Sequence, residues 1–70
     1  MNLKKRSFSL SGHRTSVALE DEFWAIIEAE ARRAGLSLAA YLSRIDGARG
    51  ARSLASALRL AALAAAKSGP

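Results

Sequence analysis

Seventy residues with no cysteine, a single histidine and a net charge of +5 bound the problem at once. A chain of this size makes one small domain, and such a core seldom suffices without a disulfide, a metal or a second subunit. The missing thiols exclude a disulfide and a lone His13 cannot build a structural zinc site, so no metal or other cofactor is expected and a homodimer is.

Charge is segregated along the chain. Residues 1–19 hold Lys4, Lys5, Arg6 and Arg14 with no acid, net +4, whereas residues 20–34 hold five acids against Arg32 and Arg33, net −3. Arg44 and Asp46 balance residues 35–47, and Arg49, Arg52, Arg59 and Lys67 leave residues 48–70 at +4. A cationic segment beside an acidic helix suggests a positive face for a polyanion.

Residues 1–6 are polar and basic with little to pack, which predicts a flexible basic arm. The stretch is basic like the start of a secretory signal, but residues 7–12 alternate polar with apolar where an apolar signal core would be needed. No apolar run approaches the ~18–20 residues that span a bilayer. A cytoplasmic protein without a membrane partner is the expectation. Phe8 and Leu10 share one face of residues 7–10, and Ser11-Gly12-His13 breaks the pattern because glycine permits positive φ. Residues 7–10 either fold back on the next segment as a hairpin or run out to cover a partner subunit.

Residues 14–19 alternate as a strand does. Thr15, Val17 and Leu19 share one face, and Arg14, Ser16 and Ala18 the other. Val17 and Leu19 demand burial, which one short strand cannot provide, so the strand needs a partner strand and helices behind it.

Glu20-Asp21-Glu22 suits a helix N-terminus, where carboxylates meet the positive end of the dipole. Phe23, Ile27 and Ala34 form an apolar stripe, with Trp24 and Ala31 adjoining and Ile26 on its flank. A helix is predicted over 21–34, closed by Arg32 and Arg33 in the last turn and by Gly35. Ser37 is an N-cap candidate for a second helix over 38–46, whose apolar positions are Leu38, Tyr41, Leu42 and Ile45. Gly47 and Gly50 mark a connector. Ser53 then caps a third helix over 54–66, with a stripe of Leu54, Ala57, Leu58, Ala61, Ala62 and Ala65 that Leu60 and Leu63 widen. Residues 67–70 are expected to fray. No internal repeat and no domain linker stand out, so residues 7–66 make a single domain.

Catalysis finds little support. His13 has no nucleophile near it and reads as a solvated turn residue. Glu28 and Glu30, two apart on a helix, do not face each other and are no acid–base pair. Phe23 and Trp24 read as core, Tyr41 as core or interface. Nothing resembles a phosphate loop, a metal cluster or a nucleophile motif, and the chain does not read as an enzyme.

The order strand, helix, Gly-x-Ser turn, helix over residues 14–46 resembles the ribbon-helix-helix family of DNA-binding proteins. Four fragments narrow the likeness: His13-Arg-Thr-Ser-Val-Ala-Leu-Glu20, the pair Phe23-Trp24, Gly35-Leu-Ser-Leu38 and Leu54-Ala-Ser-Ala-Leu-Arg59. Their order and spacing resemble a bacterial subfamily with an added C-terminal helix. The resemblance implies a mostly α fold with one β-strand, β-α-α plus a third helix, in an intertwined homodimer whose two strands pair antiparallel into one intermolecular ribbon. The dimer core would comprise Val17, Leu19, Phe23, Trp24, Ile27, Leu42, Ile45 and Leu58. The ribbon would enter the major groove of double-stranded DNA with Arg14, Ser16 and Ala18 toward the bases. Arg14 is the residue suited to a guanine edge, and Ala18 offers apolar contact alone, as to a thymine methyl. Ser37, at a helix N-terminus, would grip a phosphate. Lys4, Lys5 and Arg6 would be either a solvated tail or further phosphate contacts. The function implied is transcriptional regulation by a DNA-binding dimer. The alternative is a protein-interaction or antitoxin-like module that uses the same scaffold, with helix 54–66 or the arm holding a protein partner.

Overall fold

The computed structural model describes residues 2–67. It contains two strands, β1 (Leu3–Leu10) and β2 (His13–Glu20), and three helices, α1 (Asp21–Arg33), α2 (Leu38–Ala48) and α3 (Leu54–Lys67). Of the tail expected to fray at 67–70, Lys67 is instead the last residue of α3, and 68–70 lie outside the described residues.

The strands form an antiparallel hairpin, with Leu3 opposite Glu20 and Leu10 opposite His13. One expectation is corrected here and one alternative decided. Residues 3–6 are strand, not a flexible arm, and residues 7–10 fold back on β2 as a hairpin, the first of the two arrangements the sequence left open. The turn explains the second point. Ser11 (φ 51°) and Gly12 (φ 82°) both have positive φ, the type I′ geometry whose twist matches that of the flanking strands. The helices explain the first. The Trp24 indole Nε1 donates 2.8 Å to the Lys4 carbonyl, and the Arg6 guanidinium lies 4.7 Å from the centre of the Trp24 ring. Basic residues that looked unpackable have an aromatic surface to lie on.

Each helix ends for a local reason. Past Ala34, Gly35 adopts φ 71°; its amide donates to the Arg32 carbonyl and that of Leu36 to the Ala31 carbonyl, a Schellman closure. Ser37 Oγ accepts from the Ala40 amide and Ser53 Oγ from the Ser56 amide, each at 3.1 Å, capping α2 and α3. Helix α2 runs two residues past the expected 46.

All three helices lie on one face of the hairpin. Helix α2 packs on β1 and α3 on β2, and α3 touches both other helices. Leu10, Val17 and Leu19 meet Trp24, Ile27, Leu42, Leu54, Leu58 and Ala62 in one core. The buried line of α1 is Trp24, Ile27 and Ala31, not the stripe centred on Phe23, Ile27 and Ala34. Phe23 is half-buried and Ala34 exposed, because α1 is rotated to put Trp24 under the ribbon. Leu60 (43% exposed) and Leu63 (50%) do not widen the core stripe of α3 but face outward. Of the residues assigned to a dimer core, Val17, Leu19, Trp24, Ile27, Leu42 and Leu58 are buried within one chain, while Phe23 and Ile45 lie half-buried at its margin.

Candidate nucleic-acid interface

Directly opposed residues of an antiparallel pair share a face. The register therefore sorts the ribbon into two. Phe8, Leu10, Val17 and Leu19 turn toward the helices, and Lys4 and Arg6 share that side with them. The other side carries Lys5 opposite Ala18, Ser7 opposite Ser16 and Ser9 opposite Arg14. Arg14 and Ser16 are exposed, as are Lys5, Ser7 and Ser9, and Ala18 is half-buried. The hydroxyls of Ser7 and Ser16 are 2.9 Å apart at the centre of this face.

Electrostatics separates the faces further. Arg6 Nη1 meets Glu28 Oε2 at 2.8 Å, and Lys4 Nζ lies 3.9 Å from Asp21 Oδ1. The acids of α1 thus neutralise the helix-facing cations of β1. Glu20, next after Ala18 on this face, is held by Arg59 of α3, with Oε1 accepting from Nε at 3.3 Å and Nη2 at 3.2 Å. Hydrogen bonding by its own backbone amide holds its carboxyl below the usual range; desolvation opposes this, and Arg59 adds to the lowering. Arg33 pairs with Glu30 and Arg49 with Asp46. Among the described residues, Lys5 and Arg14 have no ion pair; they stand on either side of the Ser7–Ser16 level, with the Leu3–Glu20 pair beyond Lys5.

A two-stranded ribbon is one of the shapes the major groove admits, and Arg, Lys and Ser are side chains that contact base edges there. The family model for the ribbon-helix-helix domain matches residues 3–66. The chain belongs to the ribbon-helix-helix family. No curated protein and no solved structure matches it. Ribbon-helix-helix domains are typically DNA-binding or transcription-regulatory, and the matched range takes in α3, the helix added beyond the basic motif.

Within this ribbon-helix-helix fold the expected site residues fall into three groups. Arg14, Ser16 and Ala18 lie together on the outer face. Lys5 joins them there, whereas Lys4 and Arg6, grouped with it in the sequence, turn to α1. Ser37 stands apart, at the N-terminus of α2, where it lines an open cleft of about 360 Å³ with Glu28, Ala31, Arg32, Leu36 and Leu38. Ser7 and Ser9 were missed as members of the outer face. The alternation of β1 was legible from Ser7 onward, but their side depends on the register, which the turn sets. No group of three His, Cys, Asp or Glu among the described residues is placed to hold a metal. No helix there is long and apolar enough to cross a membrane.

Proposed function

We propose that this chain binds double-stranded DNA through the outer face of its ribbon and acts as a transcriptional regulator by occupying a promoter. One observation carries the reading. The outer face combines Lys5 and Arg14 with three serine hydroxyls, while the neighbouring carboxylates are engaged by Lys4, Arg6 and Arg59. Arg14 is suited to a guanine edge, Ser16 to either purine or pyrimidine edges, and Ala18 to a thymine methyl. Ser37, at the α2 N-terminus beside Arg32, is the proposed phosphate contact away from the ribbon. Lys4 and Arg6, already paired, contribute to the general field more than to direct contacts.

A homodimer is part of this proposal. β2 pairs with β1 on one edge only, which leaves its other edge open to the strand of a second chain, and the outward leucines Leu60 and Leu63 of α3 are a further apolar surface suited to a partner subunit. The test is duplex binding by the purified protein across a salt series. Affinity for DNA should fall steeply as salt rises, as counterion release requires, and the neighbouring promoter should outcompete unrelated duplex. Salt-insensitive or absent binding would overturn the proposal.

A protein-interaction role is the second reading. The observation favouring it is a groove of about 210 Å³ between α2 and α3, floored by Ile45, Ala48, Ala57 and Leu60 and rimmed by Arg49 and Arg52. Capture of a partner by a chain that fails the duplex assay would favour it.

A further inference from the structure

The two strands carry a single acid, Glu20, the last residue of β2. By parity it shares the outer face with Arg14, Ser16 and Ala18, and Lys5, opposite Ala18, is its diagonal neighbour across the hairpin. Diagonal positions lie about 7–8 Å apart, within reach of long side chains. A free carboxylate at this place would work against a polyanion in two ways. It would repel phosphate, and it would draw the Lys5 ammonium to itself. Lys5 has no ion pair among the described residues, and Glu20 is held elsewhere.

The holding group is Arg59 of α3. Glu20 stands at the N-cap of α1, yet its side chain makes no capping bond. Its Oε1 accepts instead from Arg59 Nε at 3.3 Å and Nη2 at 3.2 Å. Arg59 is itself well fixed. Leu58, its neighbour in α3, is fully buried, and the Arg59 guanidinium lies 5.8 Å from the centre of the Phe23 ring. The Glu20 carboxyl sits below its ordinary range, chiefly through its own backbone amide, so it is ionised at neutral pH and only a cation can neutralise it. A partly exposed ion pair does little for a fold. Beside a DNA-binding face the same pair changes the sign of the local field.

We infer that Arg59 is a positioning residue for DNA binding: by tying Glu20 to α3 it neutralises the one carboxylate of the ribbon and leaves Lys5 free for DNA. Resting on the DNA-binding proposal, this gives α3, the helix added beyond the basic motif, a part in DNA binding without touching DNA. Glu20, Phe23 and Arg59 belong to one chain, so each subunit of a dimer would carry its own tie.

The test is a double-mutant cycle on the full chain. Arg59→Met removes the cation and keeps an unbranched stem over Phe23; circular dichroism and Trp24 fluorescence establish that it is folded. The parent, Arg59→Met, Glu20→Gln and the double variant are titrated with the neighbouring promoter duplex across a salt series. Arg59→Met should bind roughly 5-fold or more weakly at low salt, the scale set by one like charge about 4 Å from a phosphate in water, and the deficit should shrink as salt rises. Glu20→Gln alone should change little. Added to Arg59→Met, it should restore both the affinity and the salt slope of the parent, which neither a purely structural role nor a direct phosphate contact allows. If Arg59 itself grips a phosphate, the double variant stays weak and its salt slope shallow, and the inference falls while DNA binding stands. Equal gains from Glu20→Gln in both backgrounds would show two independent charges and overturn it likewise, as would a folded Arg59→Met that binds as the parent does. Should Arg59→Met not fold, Arg59→Gln, which keeps a hydrogen-bond donor but no charge, takes its place with the same expectations. If the parent binds no duplex, the underlying proposal fails and the inference with it.

Discussion

Arg6→Ala separates the two fates that the basic segment at 4–6 could have. Its neighbour Lys5 faces outward, whereas the Arg6 guanidinium lies 4.7 Å from the Trp24 ring centre and 2.8 Å from Glu28 Oε2, with about a third of the side chain exposed. A cation over an indole contributes roughly 0.5–1 kcal/mol at exposed sites and up to about 2 when desolvated. A partly exposed ion pair adds ~0.2–1 kcal/mol. Removal also uncovers one face of Trp24, which is 2% exposed in the intact fold. The loss should come to about 1–2 kcal/mol. For a domain of this size each kcal/mol moves Tm by about 4–8 °C, so the melt should fall by roughly 5–15 °C. The assay is thermal unfolding by circular dichroism and Trp24 fluorescence, run beside duplex binding at several salt concentrations. Arg6→Lys should restore the ion pair but not the flat stack, and so recover part of the loss. Lys5→Ala should leave Tm unchanged. If Arg6→Ala melts like the parent and instead weakens all duplexes with a shallower salt slope, Arg6 is a phosphate contact and its assignment to the helix-facing side is wrong.

Other consequences of the fold are open to measurement. Leu58, fully buried where α3 meets the core, should cost about 2–5 kcal/mol when cut to alanine, read as a lower urea midpoint at constant slope; a midpoint unchanged from the parent would mean that α3 is not part of the folding unit. Gly12→Val forces a β-branched side chain into positive φ and should destabilise the hairpin by about 1–2 kcal/mol, whereas Ser11→Asn, a better residue for that turn position, should raise Tm; the opposite order would contradict the turn geometry. Because the Glu20 carboxyl is held below its ordinary range, its contribution is present above about pH 4.5 and lost as pH falls through the lower folded value. Glu20→Gln should therefore flatten the acid limb of the Tm–pH profile, and an acid limb identical to the parent's would remove Glu20–Arg59 as a source of stability.

Local patterns carried much of this protein. Two-residue alternation at 14–19 placed Val17 and Leu19 inside and Arg14 and Ser16 outside, because side-chain parity in a strand is fixed by backbone geometry. Gly35, Ser37 and Ser53 marked helix ends because each acts on amides or carbonyls a few residues away, within the same chemistry the sequence displays. The four fragments that identified the family are likewise short and ordered. What only the tertiary structure decided was pairing. Whether residues 7–10 returned on β2 or crossed to another subunit turned on positive φ at Ser11 as well as Gly12, and a serine there gives no local signal. Once the register is set, Lys5 and Arg6, adjacent in the chain and chemically alike, part company: one faces outward beside Arg14, the other stacks on Trp24. The rotation of α1 that buries Trp24 and releases Ala34, and the outward turn of Leu60 and Leu63, have the same origin. A helical stripe shows which residues are apolar, but the direction it faces is chosen by the elements it packs against, and those contacts join residues far apart in the sequence.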